Sequence, residues 1–247
     1  MPRKPRFFLP DIPVHVVQRG HSREPVFFED SDYRAYLDWL TEAAERYQCA
    51  VHAYVLMTNH VHLLVTPEHA ASIPRLIIAL GRRYVQYVNH TYRRTGTLWD
   101  SRYKSSLVDA ENYLLICQRY IELNPVRAAM VTDPAEYRWS SYRHHAFGQA
   151  GPNLTPHPLY IALGADEGQR QTAYRDLFTS ALEDAPVNDL RMALNQNQPI
   201  GNSRFYDRIE AMTGQRRELR KRGRPRKKND GESAGDPGQR ELPLKRR

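Results

Sequence analysis

Tyr54-Val55-Leu56-Met57-Thr58-Asn59-His60-Val61-His62-Leu63-Leu64-Val65 reads as two apolar strands folded on a tight Thr58-Asn59 turn. Side chains alternate across a strand, so His60 and His62 point to one face while Val61 points into a core on the other. At about 3.3 Å of rise per residue, their Cα atoms lie about 6.6 Å apart. Two imidazoles at that spacing can converge on one divalent ion. An isolated strand histidine is more often a hydrogen-bonded core residue than a ligand. Two at i and i+2 on an apolar strand are harder to explain that way, because each buried imidazole needs its own partner.

Outward from this hairpin, the chain alternates strand and helix. Pro13 to Arg19 reads as a strand ended by Gly20, and Val26-Phe27-Phe28 is a short apolar run. Asp30 or Ser31 caps a helix whose apolar face carries Tyr33, Tyr36, Leu37, Leu40, Ala44 and Tyr47. Strands at about Val51–Leu56 and His60–Val65 follow. Ser72 then opens a helix with Pro74 in its first turn and a stripe of Ile73, Leu76, Ile77, Leu80, Tyr84 and Val88. Arg82 and Arg83 lie off that stripe, as a solvated face or as DNA contacts. Tyr103 to Val108 makes a last strand, with Arg102 and Lys104 near its start, and Asp109 caps a helix from about Ala110 to Leu123. The order β-α-β-β-α-β followed by a helix predicts an α+β, ferredoxin-like split βαβ sheet. Such a sheet is antiparallel, with two helices on one face and the other face left for a site.

The third helix is the second informative stretch. Tyr120 and Asn124 are i and i+4 and share a face. Pro125 disfavours α geometry at Asn124, so the helix ends or kinks there, and Asn124 can instead cap a short helix beginning at Pro125. With 15 tyrosines in the chain, chemistry alone does not choose among them, and Tyr113, one heptad earlier, is the rival. Tyr137-Arg138-Trp139-Ser140-Ser141-Tyr142 either packs on the core or stacks on bases.

Composition bounds the partners. Two cysteines, Cys49 and Cys117, are too few for a disulfide framework or a thiolate zinc site. No run of 18 apolar residues exists to span a membrane, and no apolar stretch follows the basic N-terminus to make a signal peptide. A reducing cytoplasm fits. The net charge of +8 arises from 36 Lys+Arg against 28 Asp+Glu. From Gly214 onward stand 13 basic and 5 acidic residues, so the preceding 213 are balanced and the tail holds the excess. Within it, Arg222-Gly223-Arg224-Pro225-Arg226 looks like an AT-hook core, a thin peptide with arginines suited to an A·T minor groove. A tail so charged and poor in apolar residues is expected to be disordered alone.

Taken together, Val55 to Val65, Leu98-Trp99-Asp100-Ser101-Arg102-Tyr103-Lys104-Ser105, Tyr120-Ile121-Glu122-Leu123-Asn124-Pro125-Val126-Arg127, Tyr137 to Tyr142 and the opening Pro2-Arg3-Lys4-Pro5-Arg6 resemble the REP-associated tyrosine transposases, within the HUH single-tyrosine transposases. The resemblance covers roughly residues 1–147. It implies a catalytic domain there, while helical periodicity and composition give a small helical appendage over 148–213 and a disordered basic tail over 214–247. In such enzymes the residues matching His60 and His62 hold a divalent ion, Mg²⁺ or Mn²⁺, that polarises the scissile phosphate. Position relative to Asn-Pro makes Tyr120 the nucleophile, forming a 5′-phosphotyrosine link, with Asn124 completing the metal site. The implied partners are single-stranded DNA hairpins in a cytoplasmic, nucleoid-associated setting, bound by a monomer or homodimer. Arg19, Arg82, Arg83, Arg102 and Lys104 are candidate backbone contacts, joined by Arg222, Arg224 and Arg226 in the tail.

Two other classes compete. A non-catalytic regulator of DNA hairpins or A·T-rich DNA would keep the fold and bind without a covalent adduct. A metal-dependent hydrolase would use His60 and His62 with water as nucleophile and would tolerate Tyr120→Phe.

Overall fold

Strand pairing turns that alternation into two cores on opposite sides of one sheet. The computed structural model describes residues 6–151 and 154–217. In it, β1 (Val14–Arg19), α1 (Asp30–Arg46), β2 (Cys49–Met57), β3 (His60–Pro67), α2 (Ser72–Thr91), β4 (Lys104–Leu107) and α3 (Ala110–Glu122) follow in the expected order. The sheet order is β2-β3-β1-β4, antiparallel at every pairing. This is the split βαβ arrangement the hydrophobic pattern predicts.

Residues directly opposite across an antiparallel pair share a face. Val61, Leu63 and Val65 of β3 join Val14, Val16, Tyr54 and Leu56 under the stripes of α1 and α2. The alternate set, Leu64 with Ala53, Val55 and Met57, packs instead against Leu114, Cys117, Tyr120 and Ile121 of α3. Burying one leucine such as Leu64 contributes about 1.5–3 kcal/mol.

The turn is fastened from the other side. Thr58 and Asn59 offer their carbonyls to Val26 N–H and Gly20 N–H, both at 2.8 Å. Glycine is required at position 20 by this close approach. A Cβ there would lie 2.3 Å from the Glu24 carbonyl oxygen and 2.8 Å from Val26.

Several local details differ from the sequence expectations. The N-cap of α1 is Glu29 rather than Asp30 or Ser31. Its side chain and that of Asp32 form a reciprocal capping box. Asp32 is buried, accepting from Phe28 N–H and Glu29 N–H and from the hydroxyls of Tyr87 and Tyr92. Asp109 precedes α3 without capping it, because its carboxylate is taken by Asn112 and by the backbone N–H of Asn202. The arginines Arg222, Arg224 and Arg226 lie outside the described residues, as does the start of the basic N-terminus.

After α3 the chain makes a single turn, α4 (Asn124–Arg127), and the short helices α5 (Tyr142–Phe147) and α6 (Pro158–Ile161). It continues through α7 (Glu167–Asp176), α8 (Asp184–Gln196) and α9 (Ser203–Thr213). These later helices do not stand apart. Val187, Leu190 and Ala193 of α8 and the following Ile200 share the core of α3, and Phe205 and Ile209 of α9 join the core of α1 and α2. Backbone bonds tie the segment to the end of β4, from Ile200 N–H to Leu107 O and from Asp109 N–H to Ile200 O.

A buried carboxylate joins these parts. Glu122, at the end of α3, accepts from Ser141 Oγ (2.5 Å), His145 Nδ1 (3.0 Å) and Tyr174 Oη (2.6 Å), and none of its side chain reaches solvent. Removing a donor from a buried charged acceptor costs about 1–3 kcal/mol, more where the group is ionised. Tyr174→Phe should therefore lower unfolding free energy by about 1–3 kcal/mol in urea titrations. The helical and aromatic signals should still fall together, because α7 and α3 share one buried network; separate transitions would show them to be independent units.

Candidate active site

On the sheet face under α3, charged side chains and paired histidines gather towards the β2–β3 turn. Register places Arg19 opposite His60 and Val17 opposite His62, with Lys104 on the far side of Val17. Tyr120 reaches down from the last turn of α3, and its ring meets those of His62 and His15 edge-on, each at 5.9 Å. Arg127, from α4, lays its guanidinium over the same ring at 4.7 Å. A cleft of about 560 Å³ opens there, lined by His60, His62, Tyr120 and Asn124. The four residues singled out from two distant stretches thus meet in one place.

Each histidine has one nitrogen already engaged. Asn59 donates its Nδ2–H to the Arg23 carbonyl at 2.9 Å, so its Oδ1 faces His60 Nδ1 at 2.6 Å. An amide oxygen only accepts. His60 Nδ1 therefore carries the proton and Nε2 keeps its lone pair. The Arg23 carbonyl is held in place by left-handed backbone at Ser22 (φ 52°) and Arg23 (φ 65°), a conformation that costs about 1–2 kcal/mol in a residue other than glycine. Strain stored beside the cleft thus helps to orient a cleft histidine. His62 Nδ1 lies 2.9 Å from His15 Nε2.

Burial keeps these rings neutral. It lowers His15 to about 3 and, helped by the charge of Arg19, His60 to about 4. His62 is pushed well below its ordinary value by burial first, then by His15, His60, Arg19 and Arg127. Neutral imidazole is the form that ligates a metal. The His60 and His62 ring centroids are 5.1 Å apart, and two imidazoles bound to one ion through nitrogens at about 2.1 Å place their rings roughly 5 Å apart. Asn124 donates its Nδ2–H to the Tyr120 carbonyl (2.7 Å) and the Ile121 carbonyl (3.2 Å). That holds the end of α3 and leaves Oδ1 as the acceptor of the amide. Two imidazole nitrogens and an amide oxygen suit Mn²⁺ or Mg²⁺, with the nitrogens favouring Mn²⁺. Among the described residues, no cluster of three His, Cys, Asp or Glu side chains offers a competing metal site.

Charge around the cleft is one-sided. Arg19, Arg23, Arg102, Lys104 and Arg191 line it against a single carboxylate, Asp100. Of the expected backbone contacts, the fold brings Arg19, Arg102 and Lys104 here. Arg82 and Arg83 sit on α2, whose apolar stripe packs on the opposite face of the sheet, and Arg83 pairs with Glu42 and covers Trp39. Tyr113 lies higher on α3, near Asp189 and Tyr206, and does not line the cleft. A second concavity of about 420 Å³ is lined by Asp11, Glu45 and Glu68, a charge that repels phosphate.

Sequence reasoning missed Arg23, Arg191 and Asn195 in the cleft lining and His15 and Arg127 behind it. His15 is hidden in the apolar run Val14-His15-Val16-Val17, although it shares strand parity with Arg19. Arg127 reads as an ordinary helix-end cation. Arg191 and Asn195 come from α8, and Asn195 Oδ1 accepts from Lys104 Nζ at 2.6 Å. Nothing local in α8 points back to β4.

Residues 9–124 match the family model described as transposase, IS200-like. Two solved structures are similar at lower levels. One is that of a REP-associated tyrosine transposase bound to a REP hairpin, at 16% identity and TM-score 0.48, over 64% of this chain and 96% of that one. The other is a Deinococcus radiodurans R1 protein assigned as a transposase, at 25% identity and TM-score 0.35, over 49% of this chain and 96% of that one. No curated protein matches the chain.

The neutral histidines give the fold a pH dependence. His15 falls to about 3 and His52, whose ring is held by Thr155 and Thr66, to about 4. Below pH 6.5 the unfolded chain takes up protons that the folded chain refuses, so stability is complete above 6.5 and is lost as pH falls towards 4. Each buried histidine contributes a slope of about 1 kcal/mol per pH unit in that window. Urea midpoints of metal-free protein should fall from pH 7 to pH 4, and His52→Gln, remote from the cleft, should flatten the decline. A midpoint independent of pH would contradict the neutral burial of these rings.

Proposed function

We propose that this chain, whose residues 9–124 match the IS200-like transposase family model, cuts and rejoins single-stranded DNA through a covalent link to Tyr120. The observation that carries the reading is the convergence of Tyr120, His60, His62 and Asn124 in one cleft rimmed by five cations. The sequence blocks that resemble REP-associated tyrosine transposases point to hairpin-forming DNA as the substrate.

The residues present divide the work. Arg19, Arg102, Lys104 and Arg191 hold the phosphate backbone, whose charge matches theirs. His60, His62 and Asn124 would hold a divalent ion, which supplies Lewis-acid polarisation of the scissile phosphate when bound. Tyr120 Oη forms a bond to phosphorus as the bond from phosphorus to the 3′ oxygen breaks. The phenol gives up a proton and the departing 3′ oxygen takes one, leaving a free 3′-hydroxyl and a 5′-phosphotyrosine. The ester conserves the energy of the broken phosphodiester, so the 3′-hydroxyl of another strand can displace the tyrosine without ATP. Stacking by Arg127 and the edges of His15 and His62 keep the phenol in a narrow range of orientations, which reduces the entropy lost on reaching the attacking geometry.

The test is a denaturing gel of full-length protein with single-stranded hairpins drawn from the DNA flanking its gene, with Mn²⁺ or Mg²⁺. Wild type and Tyr113→Phe should form a DNA–protein adduct. Tyr120→Phe should form none, and His62→Ala should fall by at least about a hundredfold, comparable to the loss of a principal electrostatic contributor. Cleavage that persists without an adduct in Tyr120→Phe would instead establish water as the nucleophile. Hairpin binding with no cleavage would establish a regulator.

A further inference from the structure

One buried imidazole packs its edge on Tyr120 but carries two ring nitrogens that this packing does not use. His15 is fully enclosed on β1, opposite Leu64 and one diagonal step from His62. Its ring stacks on that of His62 with centroids 5.1 Å apart and planes at 26°, and its Nε2 is 2.9 Å from His62 Nδ1. Its own Nδ1 is buried with no hydrogen-bond partner. A packing role alone would be served by an aliphatic or aromatic residue, which carries no unpaired polar atom. An unsatisfied buried nitrogen beside a cleft calls for a compensating role.

We propose that His15 is a positioning residue that accepts the hydrogen bond of His62 Nδ1–H and so presents His62 Nε2, with its lone pair, to the cleft. This rests on the reading of His62 as a metal ligand. The deduction follows from which atoms are free. His62 Nδ1 is taken by His15, so only Nε2 remains to bind an ion. A ligating Nε2 carries no proton, hence the proton of the neutral ring sits on Nδ1. It then has a single acceptor within reach, His15 Nε2. His15 must in turn keep its own proton on Nδ1, the atom left without a partner. The same logic acts on His60 through Asn59, with an amide oxygen in place of an imidazole nitrogen. Two cleft histidines are thus oriented by two different residues, one from the hairpin turn and one from the neighbouring strand. Outer hydrogen bonds of this kind fix the tautomer and ring orientation of ligating histidines.

Mn²⁺ affinity, read from the electron paramagnetic resonance signal of the free ion, tests the proposal on full-length protein. The set is wild type, His15→Gln, His15→Phe and His62→Ala, each checked for native circular dichroism. Glutamine places an acceptor oxygen near the position of Nε2, whereas phenylalanine keeps the ring and loses the acceptor. His15→Phe and His62→Ala should bind at least about tenfold more weakly than wild type, and His15→Gln within about threefold of it. A role in packing predicts the reverse order, since phenylalanine preserves the shape. His15→Phe binding as well as His15→Gln would overturn the proposal. His62→Ala binding as tightly as wild type would instead overturn the ligand reading of His62, and the role of His15 with it. Should His15→Phe fail to fold, His15→Leu provides the apolar comparison under the same criteria.

Discussion

The pleat of β3 governs the molecule. Val61, Leu63 and Val65 must all face one way and His60, His62 and Leu64 the other. A slip of one residue would put two imidazoles into the core of α1 and α2 and three aliphatic side chains into a polar cleft. The Thr58-Asn59 turn, the enforced glycine at position 20 and the strained backbone at Ser22 and Arg23 hold this register. What they hold also orients His60. The device that pins the hairpin therefore also arranges the chemistry.

The two faces differ in what they tolerate. Under α1 and α2 the contacts are apolar and aromatic, with Asp32 enclosed by donors. Under α3 the edge along β2 stays apolar through Ala53, Val55 and Met57, whereas β3, β1 and β4 turn to His62 and His60, Arg19 and Lys104. Tyr120 stands at that border, buried to 6% exposure yet lining the cleft. A phenol needs such a place, with an apolar body to anchor the ring and a polar end facing the substrate.

Much of this was legible in the chain. The order of elements follows because 3.6-residue stripes mark α1 and α2, and β2 and β3 are apolar runs bounded by the Thr58-Asn59 turn and Pro67. That Tyr120 and Asn124 share a face follows from i, i+4 spacing, but their choice over Tyr113 and their place beside the histidines come from the resemblance to the tyrosine transposases. Three things were not legible, each for a physical reason. A helix pattern says which stripe is buried but not which side of the sheet receives it, so Arg82 and Arg83 were indistinguishable from true cleft cations. Strand parity marks His15 as a neighbour of the site only when the register of β1 against β3 is known. The later segment meets partners that lie about ninety residues earlier, as in Lys104 with Asn195 and Ser105 with Asn197, and no local rule reaches that far.

The position of α8 sets an order in time. The last of the four convergent residues, Asn124, is synthesised before α8 exists, whereas the cleft gains Arg191, Leu194 and Asn195 only after some seventy more residues. At about 5–20 residues per second, several seconds separate the two events. Until α8 is made, the cleft lacks the side formed by Arg191, Leu194 and Asn195. Val187, Leu190 and Ala193 are also missing from the core of α3 at that stage. A chain that ends before α8 therefore lacks both a wall of the cleft and part of the apolar support beneath Tyr120.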